Sequence, residues 1–331
     1  MKTNFLEYGL RKDNQFWKYL IVMILAWVVG AGLLGFVPLL VVALVQVSQS
    51  GGDLSQLADV FNFEAMGISL NLGLFLIMLS FVVGLLVFLG LIWLIHNRRT
   101  YKETINGTKQ VRWNRVWVGA FTWGIFMAIS QLLSFLGNPS NFVFQFDIVK
   151  FFPLLIISLL FIPLQTSFEE LTFRGYLAQG FAGLTKSRWV VFLLPSIIFG
   201  LMHAGNPEVV EHGFWIMMPS YIIVGLVWGL VSILDDGIEL ALGAHAINNV
   251  FLSLFFTNSS SALQTYAVFE ILKVDPVRTL IAVTFYSIIF VYILHLRYKW
   301  DFSILNKRIE KPEEEIVATE NEQNNTISSQ F

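Results

Sequence analysis

Residues 70–95 read LNLGLFLIMLSFVVGLLVFLGLIWLI, a stretch of apolar side chains without one Asp, Glu, Lys or Arg. A helix needs about 20 such residues to cross the roughly 30 Å hydrocarbon layer of a bilayer, so this stretch predicts a transmembrane helix. Similar runs lie on either side of it: Leu20 to Val47, Val116 to Leu136, Ile148 through Pro153 and Pro163 to Gln165, Trp189 to His203, Phe214 to Leu234, Ile238 to Phe256 and Thr279 to Leu296. Eight spans are expected, in an all-α polytopic membrane protein. The first run is too long for a signal-peptide core and ends without a clean small-residue cleavage site, so it reads as a retained helix.

Composition agrees. Of 331 residues, 56% are apolar and 13% are charged. That charged share is about half the usual one, too little to cover a soluble domain of this length. The net charge of -2 says little by itself; membrane lipid is an expected partner and nucleic acid is not. With no cysteine, disulfides, thiol nucleophiles and Cys-ligated zinc are all ruled out.

Basic residues predict the topology. Lys2, Arg11, Lys12 and Lys18 precede the first run, and Arg98, Arg99, Lys102, Lys109, Arg112 and Arg115 follow the second. Lys186 and Arg188, then Arg297, Lys299, Lys307 and Arg308, fall at alternate connections. The connections 48–69, 137–147 and 204–213 carry no Lys or Arg. Both termini are therefore expected in the cytoplasm. The acidic turn Asp235-Asp236-Gly237 and Lys273 break the pattern. The chain divides into 1–144 (about three spans and a basic loop), 145–258 (a core), 259–299 (the last span) and 300–331. This last segment holds seven acidic and three basic residues beyond Trp300 and reads as a polar, disordered tail. Gly225-x-x-x-Gly229 inside the sixth run predicts close helix packing.

Polar groups at membrane depth are expensive and mark function. Three clusters qualify. The first is Phe168-Glu169-Glu170-Leu171-Thr172-Phe173-Arg174-Gly175. Glu170 and Arg174 are four apart and share a helix face, whereas Glu169 is turned about 100° away on a neighbouring one. The bland alternative is a helix start that attracts acids through its dipole. The second cluster is Phe199-Gly200-Leu201-Met202-His203. The third is His245-Ala246-Ile247-Asn248-Asn249, with His245 and Asn249 on one face. A lone membrane histidine is often just hydrogen-bonded to a neighbour, but two with an Asn and a Glu pair are harder to explain that way. Glu169 and His203 lie equally far from the Lys186 turn, so an antiparallel hairpin would set them at one depth, about 25 Å from its tip. The long stretch from Asp147 to Thr185 predicts a break or tilt near Pro163.

There is no H-E-x-x-H, G-x-S-x-G or G-x-G-D. Glu, two His and Asn suit hydrolysis by activated water. Two His and one Glu also form a catalytic zinc set, so Glu169, His203 and His245 are candidate metal ligands, and both routes stay open.

Glu169-Glu170-x-x-x-Arg174, Phe199-x-x-x-His203 and His245-x-x-x-Asn249, in this order, resemble the CPBP intramembrane proteases. That family comprises the type II CAAX prenyl endopeptidases and the bacteriocin-processing and immunity (Abi) proteins. The resemblance covers 145–258 and implies a helical fold with an intramembrane catalytic cavity. It implies Glu169 as general base, His203 as helper in activating water, His245 and Asn249 on the oxyanion side, and Glu170 and Arg174 as braces. It leaves metal dependence open. Composition reads as bacterial, and bacteria generally lack protein prenylation. The expected substrate is therefore a membrane-associated peptide or protein, cut near the cytoplasmic side of the cell membrane. A catalytically silent immunity or binding protein, and a proton-coupled transporter, are the alternatives.

Overall fold

A computed structural model describes residues 5–12, 14–53, 55, 57 and 62–311. Eight principal helices occupy the eight apolar runs: α1 (Phe16–Ser50), α2 (Leu70–Ile95), α3 (Trp113–Gly137), α4 (Ile148–Thr185), α5 (Arg188–Leu201), α6 (Phe214–Leu234), α7 (Glu239–Phe255) and α8 (Pro276–Tyr298). Side chains start several of them. Ser69 accepts from the Leu72 N–H at 3.4 Å, Asp147 from Val149 at 2.9 Å and Asp275 from Arg278 at 3.0 Å.

Among the described residues, six helices, rather than the eight expected, are long and apolar enough to cross a membrane. The two that fall short are α5, with 14 residues, and α7, with 17. α5 ends two residues before His203, and His245 lies buried within α7.

Of the break or tilt expected near Pro163, the break is absent. α4 is a single helix of 38 residues, about 57 Å at 1.5 Å per residue, with Pro153 and Pro163 in its interior. Its irregularity comes later, as a π-helical segment at Leu171–Leu177. Such a segment takes up extra residues per turn and re-aims side chains, and it is frequent at functional sites. α1 holds another at Leu25–Leu34. The two meet where Trp27 donates its indole N–H to the Thr172 hydroxyl at 3.3 Å.

Glycines bring the helices close together. A Cβ at Gly243 of α7 would lie 1.8 Å from the Val116 carbonyl oxygen of α3, and one at Gly119 would lie 2.1 Å from the Leu240 oxygen. The predicted Gly225/Gly229 contact is present: a Cβ on either would run into Ser196 of α5, at 2.7 Å and 2.5 Å. Gly243→Ala should therefore push α7 off α3 and cost about 1–3 kcal/mol, the usual penalty of overpacking. Gly90→Ala, where a Cβ meets nothing within 4 Å, should be neutral. Thermal unfolding in detergent checks the pair.

The acidic turn that broke the charge pattern is neutralised in three dimensions. Asp235 lies 2.9 Å from Arg115 and 3.4 Å from Arg112, and Glu239 lies 2.6 Å from Arg112. The Phe5 N–H donates to Asp236 and the Trp300 indole to Asp235, both at 3.2 Å. Phe5 and Trp300 thus both contact this basic end of the bundle.

Residues 300–309, read above as the start of a disordered tail, pack against the bundle. Trp300, Leu305 and Ile309 are buried, and the Ile309 N–H donates to the Lys186 carbonyl at 2.9 Å. Hydrogen bonds from Ser303 and Lys307 hold the Asp301 carboxyl down to about 2. These apolar positions are widely spaced, which hides them from a search for periodicity. The rest of that segment, 312–331, lies outside the described residues.

A small sheet, not anticipated from the sequence, pairs β1 (Phe142–Phe144) antiparallel and β2 (Phe256–Thr257) parallel with the central β3 (Phe269–Ile271).

Candidate active site

The first cluster straddles the junction between the α-helical start of α4 and its π segment. Glu170 and Arg174 pair as the spacing predicted: Arg174 Nη1 donates to Glu170 Oε1 at 3.0 Å, with both side chains almost wholly buried. The guanidinium lies 3.7 Å over the Phe199 ring centre and 5.6 Å from that of Trp228. A cation over an aromatic face is attracted to it, more so where water is excluded. Stacking of this kind suits Arg rather than Lys.

His245 reaches the same carboxylate from α7. Its Nδ1 is 2.8 Å from Glu170 Oε1, and its ring stacks on Trp228 at 4.2 Å between centroids. Glu170, paired with Arg174, accepts only, so His245 carries its proton on Nδ1. Its Nε2 then faces Glu169 Oε2 at 3.5 Å and Asn249 Nδ2 at 3.5 Å. Glu169 is buried, as is Gln165, one helical turn before it. The Gln165 carbonyl oxygen accepts from Asn249 Nδ2 at 3.2 Å.

The structure thus brings together Glu169, Glu170, Arg174, His245 and Asn249. Among the described residues, His203 shares no hydrogen bond with these five, though it meets the same Phe199 ring as His245. Its hydrogen bond is from Nδ1 to the Phe199 carbonyl at 3.0 Å, so its Nε2 carries a lone pair. The ring stacks on Tyr221 at 4.4 Å. His203 and His245 both meet the Phe199 ring edge-on, at 4.9 Å and 5.9 Å. The Tyr221 hydroxyl in turn donates to the Glu208 carboxylate and accepts from Asn206 Nδ2.

Glu169 and His245 Nε2 face each other, with His245 Nδ1 held by Glu170, while His203 contacts the Phe199 ring. Among the described residues no group of three or more His, Cys, Asp or Glu side chains is placed to hold a metal ion.

Sequence reading missed Gln165, Trp228, Trp123 and Tyr221 and gave no role to Asn248. Gln165 was legible by the same four-residue spacing that paired Glu170 with Arg174. The aromatics gave no signal, because Trp and Tyr in an apolar run look like any other packing residue.

Fold and site together define an integral membrane protein with a buried polar cluster of Glu, His, Asn and Arg. Residues 148–251, which hold all three motifs, match the family "Type II CAAX prenyl endopeptidase Rce1-like". The resemblance read from the motifs is borne out at that level. A stretch of 187 residues is 35% identical to the uncharacterized protein YyaK of Bacillus subtilis (strain 168). It covers 55% of this chain and 62% of that relative, less than two thirds of the relative's length. No solved structure matches.

Proposed function

We propose that this protein is an intramembrane endopeptidase that hydrolyses a peptide bond of a membrane-associated peptide or protein by activated water. The observation that carries this is the unequal treatment of two adjacent buried carboxylates. Glu170 is paired with Arg174 and hydrogen-bonded by His245. Glu169, also buried, has the neutral Gln165 amide and a 3.5 Å contact to a histidine nitrogen, but no paired guanidinium of its own. A carboxylate buried without a dedicated cation costs stability, and such groups are kept where they act.

Glu169 takes a proton from water as the water oxygen bonds to the scissile carbonyl carbon. The lone pair on His203 Nε2 accepts a hydrogen bond from the O–H that the water keeps and orients the attack. Asn249 Nδ2 donates to the developing oxyanion. The C–N bond then breaks, and Glu169 returns its proton to the leaving amine. Glu170 and Arg174 hold His245 in one tautomer and one position, the task that the buried Asp performs for the His of a catalytic triad. The protein sits with both termini in the cytoplasm, which sets the basic end of the bundle on that side.

The test is cleavage of membrane-anchored peptides, prenylated and unprenylated, by purified protein in proteoliposomes. Cleavage of an unprenylated anchor is expected. Protein that is folded yet leaves the whole panel intact would sink the proposal. Water activation by Glu169 needs no metal, so exhaustive chelation should leave the rate unchanged. A rate that collapses on chelation and returns with added zinc would replace this mechanism with a metal-centred one.

A further inference from the structure

A chain of hydrogen bonds runs from α3 through α7 to α4. The Trp123 indole Nε1 donates to Asn248 Oδ1 at 3.0 Å. Asn248 Nδ2 donates to Asn249 Oδ1 at 3.0 Å. Asn249 Nδ2 donates to Gln165 Oε1 at 3.2 Å and faces His245 Nε2 at 3.5 Å. Gln165 interacts in turn with the Glu169 side chain, one helical turn along.

Three of these groups are carboxamides, and a carboxamide can be turned end for end, exchanging donor for acceptor. Nothing in Asn248, Asn249 or Gln165 chooses the direction. The indole does so at one end, because it has a donor and no acceptor, and the His245 Nε2 lone pair favours the same direction at the other. Trp123 therefore requires Asn248 to turn its oxygen toward it. The Asn248 amino group then faces Asn249 and draws the Asn249 oxygen. What remains of Asn249, its Nδ2, points toward Gln165 and His245. Reversed, Asn249 would present an oxygen where an oxyanion needs a donor.

The indole is itself fixed. Trp123 is buried, with its ring edge-on to Phe290 at 5.1 Å and to Trp228 at 6.1 Å. Trp228 is the ring on which His245 stacks. Glycine contacts hold α3 against α7 on this same seam.

We propose that Trp123 and Asn248 are positioning residues: a donor-only indole on α3 sets the direction of an amide chain that presents Asn249 Nδ2 to the reacting group. This rests on the peptidase reading above. Neither residue touches the substrate; both act through Asn249.

The experiment is a double-mutant cycle on kcat and KM in proteoliposomes, using Trp123→Phe and Asn248→Leu. Trp123→Phe keeps a ring in the aromatic cluster and removes the N–H. It should lower kcat about tenfold, the worth of roughly one hydrogen bond, and leave KM within about twofold. Asn248→Leu should lower kcat at least as much. If Trp123 acts through Asn248, adding Trp123→Phe to Asn248→Leu should change nothing further. Two losses that multiply, or an unchanged kcat in Trp123→Phe, would overturn the proposal, because a packing role is additive and moves Tm rather than kcat. Glu169→Gln run alongside separates the two levels. If it is inactive while Trp123→Phe is unaffected, the relay alone fails. If it is fully active, the reading of the site fails. Independently of turnover, the difference Raman spectrum of wild type against Trp123→Phe should show a hydrogen-bonded indole N–H; a free N–H overturns the relay.

Discussion

Glu169→Gln protein should insert and fold as the wild type does and cleave its substrate at least about 10³-fold more slowly, a loss of about 4 kcal/mol of transition-state stabilisation. Glutamine matches glutamate in shape and keeps an oxygen and an amide for Gln165 and His245. What it cannot do is accept a proton from water. The companion expectation concerns stability. Glu170 already takes Arg174, so ionising Glu169 would put a second charge in the buried site without a cation of its own, at a cost in stability. Neutralising it should leave Tm equal or raise it, as in other sites where activity and stability compete. Single-turnover cleavage and detergent thermal unfolding measured together decide the matter. A Glu169→Gln variant that cleaves normally would show that another group activates the water. One that loses Tm in step with activity would show that the carboxylate is a structural partner.

Arg174→Ala should destabilise the protein by about 3–5 kcal/mol, because it strands the Glu170 carboxylate in a buried position with a histidine as its remaining partner. At this chain length that is a fall in Tm on the order of 10 °C. The cost exceeds that of losing one surface pair, because Arg174 also fills the space over Phe199 at 3.7 Å and donates to the Gly225 carbonyl at 3.4 Å. Replacing both partners, as in Glu170→Leu with Arg174→Leu, should recover much of the stability, since it removes the unpaired charge along with its cation. Activity should not return, because His245 then loses the acceptor that holds its Nδ1 proton. If Arg174→Ala unfolds at the wild-type temperature, the pair is not bracing the site.

The membrane class, the position of each helix and the pairing of Glu170 with Arg174 were legible from local rules. Apolar length, side-chain periodicity and four-residue spacing act within one helix, and the bilayer leaves few other ways to satisfy a backbone. Two shorter helices replaced two of the eight expected spans because the full-length criterion presumes a helix facing lipid, and α5 and α7 are given over in part to the polar site. The predicted break at Pro163 gave way to the π segment at Leu171–Leu177, because neighbouring helices can compensate for a proline at membrane depth. The acidic turn at 235–236 looked anomalous only until Arg112 and Arg115 came beside it.

By itself, then, the amino-acid sequence determined a helical membrane protein and named the six polar residues that do not belong in lipid. Tertiary structure decided how they are divided. It joined Glu170, Arg174 and His245 into one buried network, set Glu169 beside it without a paired guanidinium, and left His203 in contact with Phe199 but outside those hydrogen bonds. It also added Gln165, Asn248 and Trp123, which fix the direction of Asn249. The physical reason is that spacing along a helix reports which side chains share a face. Which atom carries the proton, and which end of an amide points inward, depends on partners that arrive from other helices.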